Sequence, residues 1–186
     1  MKNVVTIILT AFSVICLLNP KIRVARIIKG HFGSLRNDKT GKRSLWDLAT
    51  FLVFPMGIAA YLCFFNGVVV DDSDINVLLT MFSIFAALLF NFLMLIIQVK
   101  EAPSASRKVN LEKYQKCISQ TYYNVSFTTL LSVIAIVLLW IISIWDSPGQ
   151  LISCVVSWIA MTIIIMFFIA LLMVLKRIFN IYSIDD

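Results

Sequence analysis

The chain has 186 residues, of which 60% are hydrophobic and only 14% are charged. A soluble domain carries about a quarter charged residues, so this composition excludes an ordinary soluble fold and indicates apolar surface that faces lipid. The net charge of +6 does not by itself indicate nucleic-acid binding, because the cations gather in the segments between apolar runs. We therefore expect no direct contact with nucleic acid.

Residues 4–18 form the first apolar stretch, which is short for a membrane span. No small-x-small cleavage site follows it, and Asn19-Pro20 is typical of a helix start. We expect a short membrane-spanning helix here, with a helix lying at the membrane interface as the alternative. A short cationic helix is expected next, over residues 21–29, ending near Gly30 or Gly33.

Four longer apolar runs follow, at 48–70, 75–99, 123–145 and 151–175, and none of them contains Lys, Arg, Asp, Glu or His. Each run has 23 to 25 residues, which at about 1.5 Å per residue gives roughly 35 Å of helix, enough to cross a hydrocarbon core of about 30 Å. We predict an all-α integral membrane protein with two transmembrane helical hairpins, that is four strong spans, and the N-terminal apolar helix as a candidate fifth span. The predicted organisation is an N-terminal apolar and basic region (1–47), a first hairpin (48–99), a basic connecting helix (100–122), a second hairpin (123–175) and a tail (176–186).

The charges sort by side of the membrane. Fifteen of the 16 basic residues lie in residues 21–43, 100–116 and 176–177, and the other is Lys2, which precedes the N-terminal apolar stretch. The two hairpin tips carry only acidic charges, namely Asp71, Asp72 and Asp74 at one tip and Asp146 at the other. The positive-inside rule then places the basic segments and the C-terminus in the cytoplasm and the acidic tips outside.

The connecting helix carries a short apolar stripe. Leu111, Tyr114, Ile118 and Tyr122 recur at three- and four-residue spacing. We interpret this stripe as packing on lipid or on the protein's own helices. The alternative is a docking helix whose apolar face binds a partner.

Residues for catalysis or metal binding are sparse. His31 is the only histidine, and no second ligand or nucleophile lies near it in the sequence. The four cysteines form no C-x-x-C pair, which favours their reading as small apolar residues. We expect no enzymatic activity, no metal and no cofactor.

The uncharged polar residues within the runs are the remaining intramembrane candidates. Asn91 lies near the middle of its run, and a carboxamide in hydrocarbon is costly unless it faces protein or water. We interpret the set as interhelical hydrogen-bonding residues, with a pore lining in an oligomer as the alternative. The candidates are Ser83, Asn91, Thr128, Ser132, Ser153 and Ser157.

A chain of this size, with four strong spans and basic cytoplasmic segments, resembles the small membrane components of bacterial antiphage systems, in particular the membrane subunits of the two-gene Kiwa system. The resemblance covers the whole chain and consists of size, hairpins and charge placement. It implies a multi-pass protein of the bacterial inner membrane that forms a homo-oligomer such as a tetramer. It also implies a cytosolic, DNA-binding partner docked on the inner face and a role in detecting infection at the envelope.

The sequence therefore predicts a membrane sensor or scaffold, because intramembrane charges and catalytic groups are missing from the runs. Two alternatives remain: a pore-forming effector, and a small carrier for a neutral or apolar solute in which Pro55-Met56-Gly57 is the flexible element. Topology selects the residues expected to dock the partner or anionic phospholipids. These are Arg23, Arg26, Arg36, Lys39, Lys42, Arg43, Arg107, Lys108, Lys113 and Tyr114.

Overall fold

The computed structural model of the protein describes residues 24–34, 49–101, 111–144 and 150–182. Every described element is helical, and no strand occurs within these ranges. The predicted N-terminal span at 4–18 and the tip residue Asp146 lie outside the described residues. The helices are α1 (Val24–Ser34), α2 (Ala49–Phe65), α3 (Asp72–Glu101), α4 (Leu111–Ile144) and α5 (Gln150–Tyr182).

Among the described helices, α3, α4 and α5 are long and apolar enough to cross a membrane, whereas α2 is shorter. This confirms the prediction of an all-α protein with membrane helices. The connecting helix and the third apolar run form one continuous helix, α4, of 34 residues. On α4, Tyr114, Ile118 and Tyr122 pack against the hydrophobic core, as expected for a stripe that packs on the protein's own helices.

Helix α2 is shorter than the apolar run that predicts it. Its central turns, Phe54–Ala60, are α-helical, and a π-helical turn precedes and follows them. Pro55 lies inside α2, just after the first π-helical turn, and its missing N–H and its ring interrupt the regular helical hydrogen bonds there. The helix ends because Asn66 caps it and Gly67 takes a positive φ of 66°, a conformation that glycine adopts readily.

The acidic tip after α2 forms the N-terminal cap of α3. The Asp71 carboxylate accepts hydrogen bonds from the Asp74 N–H and the Ser73 hydroxyl, both at 2.8 Å. These bonds, the Asp74 bond first, lower the pKa of Asp71. The acidic residues therefore lie at the positive end of the α3 dipole, which favours them there.

Helix packing differs from the predicted pairing of neighbours. The order of packing is α2 on α5, α5 on α4, and α4 on α3, and α1 also packs on α4. The second predicted hairpin, α4 with α5, is therefore a packed pair, whereas α2 and α3 of the first pack on different partners. Two contacts hold α2 on α5: the Trp158 indole donates to the Met56 carbonyl at 3.1 Å, and the Val70 N–H donates to the Ser157 hydroxyl at 3.1 Å.

Helix α3 buries one narrow face against α4. Ile75, Phe82, Leu89 and Ile96 recur every seven residues, and all four are buried. A seven-residue repeat keeps one seam of a helix facing its neighbour. Across this core, the Phe82 ring meets the Phe167 ring of α5 edge to face, at 4.9 Å between centroids.

Helix α1 lies close to α4 because Gly30 has no side chain. A Cβ atom at Gly30 would lie 2.3 Å from the Tyr123 ring, whereas one at Gly33 would meet no atom within 4 Å. The glycine therefore sets the distance between the two helices.

We predict that Gly30→Ala loosens α1 from the bundle, because overpacking costs about 1–3 kcal/mol. Amide hydrogen exchange in detergent should show α1 exchanging about tenfold faster. Gly33→Ala is the matched control, and it should leave exchange unchanged or slow it, since alanine favours a helix by up to about 1 kcal/mol. Equal behaviour of the two variants would contradict the close α1–α4 contact.

Candidate functional site

Polar side chains from three helices meet at the end of the bundle that carries the cations. His31 and Ser34 lie three residues apart on α1, so they share one helix face. Gln120 and Asn124 lie four apart on α4, and Arg177 lies near the C-terminal end of α5. We call these five residues the polar box.

Asn124 is the centre of the polar box. Its side-chain oxygen accepts hydrogen bonds from His31 Nδ1 at 3.0 Å and from the Ser34 hydroxyl at 2.8 Å. The Ser34 hydroxyl also lies 2.7 Å from the His31 carbonyl oxygen. Because a carbonyl oxygen only accepts, His31 carries its proton on Nδ1 and presents a lone pair at Nε2.

Arg177 joins α5 to the other two helices. Its Nη2 donates to the Ser34 carbonyl oxygen at 2.7 Å, and its Nη1 donates to Gln120 Oε1. The Ser34 carbonyl lies in the last turn of α1, where carbonyls have no partner within the helix. The guanidinium therefore caps the negative end of α1, and it does so from a different helix.

Aromatic rings enclose the His31 imidazole. The Phe127 ring stacks on it at 4.0 Å between centroids with planes 9° apart, and the Phe51 ring of α2 lies at 4.8 Å. Phe32 approaches edge-on at 5.5 Å. His31 is 0% exposed and Asn124 is 1% exposed, so water is excluded from their hydrogen bond. Side chains of α1, α2 and α4 thus meet at one histidine.

Burial keeps His31 neutral. Helix α1 is not one of the membrane-spanning helices, and desolvation there lowers the pKa of His31 from 6.5 to about 4. The hydrogen bond with Asn124 raises the pKa in part, and the Arg177 charge lowers it further. At pH 7 the imidazole is therefore an uncharged hydrogen-bond donor stacked on a phenyl ring.

The polar box also contains buried atoms that have no partner among the described residues. Two of them are His31 Nε2 and Asn124 Nδ2. Each buried atom without a hydrogen bond costs about 1–3 kcal/mol relative to its hydrated state. Exposure to water would remove this cost, so the docking of α1 is less favourable than its hydrogen bonds alone suggest.

The chemistry of the polar box is that of a coupling element between helices. The Ser34 hydroxyl donates to the Asn124 side-chain oxygen, across the α1–α4 contact. Within the described ranges, no group of three His, Cys, Asp or Glu side chains could hold a metal ion. The box instead connects α1 to α4 and α5 through hydrogen bonds, and the tilted Phe51 ring of α2 packs against its histidine.

Few of the predicted docking residues fall in the described part of the chain. Arg26 is exposed on α1, as is its neighbour Lys29, and Tyr114 is half-buried on the bundle. Lys113 belongs to α4, but its side chain is outside the described residues. Arg23, Arg36, Lys39, Lys42, Arg43, Arg107 and Lys108 are also outside the described residues.

The predicted intramembrane polar contacts are found between helices in one case. The buried Ser157 accepts from the Val70 backbone, whereas Thr128 and Ser132 are buried but donate to carbonyls of their own helix. Ser153 is half-buried. Ser83 is exposed and donates to the Leu79 carbonyl, and Asn91 is exposed on α3. Ser157 therefore has an interhelical partner, whereas the hydroxyls of Thr128, Ser132 and Ser83 donate to carbonyls of their own helices, and the interhelical interpretation of the set stays a prediction.

Sequence reasoning missed the polar box. It treated His31 as a histidine without a partner, although Asn124 lies 3.0 Å away in space and 93 residues away in sequence. A signal was present on each helix. Ile27, His31 and Ser34 share one face of α1, and Gln120 and Asn124 fall at a four-residue interval of α4.

We predict that acid weakens the docking of α1. The pKa of folded His31, about 4, is below its ordinary value of 6.5, so the unfolded state binds more protons between these values. The free energy that stabilises the docked α1 is therefore largest above pH 6.5. It decreases by about 3 kcal/mol in total as the pH drops towards 4 and below. Hydrogen exchange of α1 at pH 7 and pH 5, corrected for intrinsic rates, measures this. His31→Gln should remove the dependence between pH 5 and 6.5, and its persistence would contradict the role of His31.

We also predict that Arg177→Met frees the C-terminal turn of α1. The variant removes the charged donors to the Ser34 carbonyl and to Gln120, at a cost of about 2 kcal/mol. Hydrogen exchange at residues 31–34 should become tens of times faster. Lys176→Met is the matched control, because Lys176 is the adjacent cation and is exposed. Equal effects of the two variants would indicate that charge alone is responsible.

Comparison with known proteins adds no identity to this geometry. No protein-family model, no curated protein and no solved structure matches the chain. The resemblance to Kiwa membrane subunits stays a prediction. The polar box is accordingly interpreted from its own residues: a neutral buried histidine, a central carboxamide and an arginine that connects three helices.

Proposed function

We propose that this protein is a membrane sensor or scaffold subunit that oligomerises in the bacterial inner membrane and recruits a cytosolic partner through its basic face. The observation that carries the proposal is the seating of α1. This cationic helix is fixed on the bundle by the polar box, while Arg26 and Lys29 remain exposed. A fixed helix with outward cations is suited to docking an acidic protein surface or anionic phospholipids.

Four membrane crossings are part of the proposal, although α2 is short. Phe51 of α2 touches the polar box, and Val70 after α2 bonds to Ser157 of α5. Ser157 and Arg177 are 20 residues apart on α5, which corresponds to about 30 Å. The chain from Phe51 to Val70 therefore advances by about the thickness of a hydrocarbon core. The non-helical end of this crossing is tolerated because the Val70 N–H is bonded to protein.

The polar box lies at the end of the bundle that we assign to the cytoplasm. Arg26 and Lys29 of α1 and Lys176 of α5 are exposed at this end, and the Asp71 cap of α3 follows the opposite end of α2. The positive-inside rule favours this orientation, with the C-terminal end of α5 in the cytoplasm. A partner bound to α1 would then act on a helix that contacts α4 and α5 directly.

The coupling has a defined route. Ser34 is bonded both to Asn124 of α4 and, through its carbonyl, to Arg177 of α5. A shift of α1 on partner binding must break or strain these bonds, and two buried polar atoms of the polar box, His31 Nε2 and Asn124 Nδ2, already oppose docking. We infer that α1 relays the occupancy of the cytoplasmic face to the membrane helices, in a system that detects infection at the envelope.

We predict that Arg26→Glu combined with Lys29→Glu abolishes partner recruitment. Pull-down from detergent extracts, with mass spectrometry, should recover at least about tenfold less partner, because like charges would then face each other. Membrane insertion should be unchanged. The control exchanges the cations, Arg26→Lys with Lys29→Arg, and should retain binding. Reversing all eight cations of residues 21–43 is the stronger form of the test.

Two results would contradict the proposal. The first is a partner that remains bound to both charge-reversed forms. The second is ion flux through liposomes that contain the purified protein alone, which would favour the pore-forming effector.

A further inference from the structure

The face of α3 opposite its buried seam forms a second seam. Its members recur at alternating three- and four-residue intervals, and all are exposed. This outer seam of α3 consists of Val77, Thr80, Ile84, Ala87, Asn91, Met94 and Gln98. Among the described helices, α3 packs on α4 with its buried seam, and the outer seam faces away from these helices.

Asn91 is the residue of the outer seam that lipid cannot satisfy. It lies four residues from the middle of the apolar run 75–99, which is about 6 Å along the helix and well inside the hydrocarbon. Thr80 and Ser83 direct their hydroxyls to carbonyls of α3 itself. None of the side-chain hydrogen bonds among the described residues includes Asn91. No described residue therefore offsets the cost of placing this exposed carboxamide in hydrocarbon.

We propose that the outer seam of α3 binds the same seam of a second copy of this chain. Two copies inserted with one orientation can be related by a twofold axis along the membrane normal, which places Asn91 opposite Asn91 at equal depth. A carboxamide both donates and accepts, so the two side chains satisfy each other. Ala87, one turn away, permits close approach of the helices. A single asparagine within an apolar seam also fixes the register of a helix pair.

The exposed surfaces of α5 do not compete with this assignment. Leu151, Leu172 and Leu175 are exposed there, and lipid tails satisfy leucine as well as protein does. The inference deepens the oligomer of the proposed function by naming its interface. It relies on that proposal only for the insertion of α3 in the membrane.

Cysteine cross-linking tests the symmetry of the contact. In a full-length chain whose four native cysteines are replaced by alanine, Asn91→Cys should form a disulfide-linked dimer in native membranes under oxidation. Phe90→Cys is the matched control, because Phe90 has the same depth, is 59% exposed and lies about 100° around the helix. We expect several-fold less dimer at position 90. Equal cross-linking at both positions, or a product that is not twice the chain mass, would overturn the proposal.

A second measurement avoids dependence on cysteine chemistry. Energy transfer between labelled chains in liposomes should show that Asn91→Leu raises the dimer Kd about three- to tenfold, as expected for a few intramembrane hydrogen bonds. Ser83→Ala should leave the Kd unchanged, because its hydroxyl bonds within α3. An unchanged Kd for Asn91→Leu would exclude the contact. If the contact fails while Arg26→Glu with Lys29→Glu still releases the partner, the dimer interface is wrong and the proposed function stands.

Discussion

A polar group in hydrocarbon must find its partner within protein, and this constraint determines most of what the structure shows. Helix α2 departs from regular geometry, and α5 supplies hydrogen-bond partners to one backbone group of α2 and to one in the segment after it. Trp158 donates to the Met56 carbonyl, and Ser157 accepts from the Val70 N–H. These two bonds explain why α2 packs on α5 and not on α3, its neighbour in sequence. Helix pairing here thus depends on which helix supplies hydrogen-bond partners to the backbone groups of its neighbour.

The same constraint shapes the polar box, where the last turn of α1 meets the bundle. Arg177 satisfies the Ser34 carbonyl, and Asn124 satisfies both His31 and Ser34. The hydrogen bonding of the polar box is incomplete, because His31 Nε2 and Asn124 Nδ2 have no partner among the described residues. A contact that is specific in geometry yet costly in desolvation is well suited to opening. The neutral state of His31 belongs to the closed form, because protonation requires water that the Phe127 and Phe51 rings exclude.

Sequence patterns predict those features of the fold that depend on local composition. The lengths of α3, α4 and α5 follow from their apolar runs. The end of α2 is also encoded locally, in Asn66-Gly67. The predicted span over residues 48–70 nevertheless extends past this helix-stop signal. The polar box was not predictable in this way, since it joins α1 to residues 86 or more positions away. None of its residues is distinctive when considered alone. Only the fold shows that the polar faces of their helices meet.

Helix α4 connects the two features to which we assign function. One side of α4 holds α1 through Asn124 and Tyr123, and another packs against the buried seam of α3. The outer seam of α3 is therefore one helix away from the element that docks the partner. Because packed helices shift as rigid units, a displacement of α1 that moves α4 must also move α3.

An interface built on Asn91 would respond to such a shift in an all-or-none manner, since two carboxamides held at one depth either meet or separate into hydrocarbon. In the function that we propose, ordinary helix packing would in this way link partner recruitment to oligomerisation.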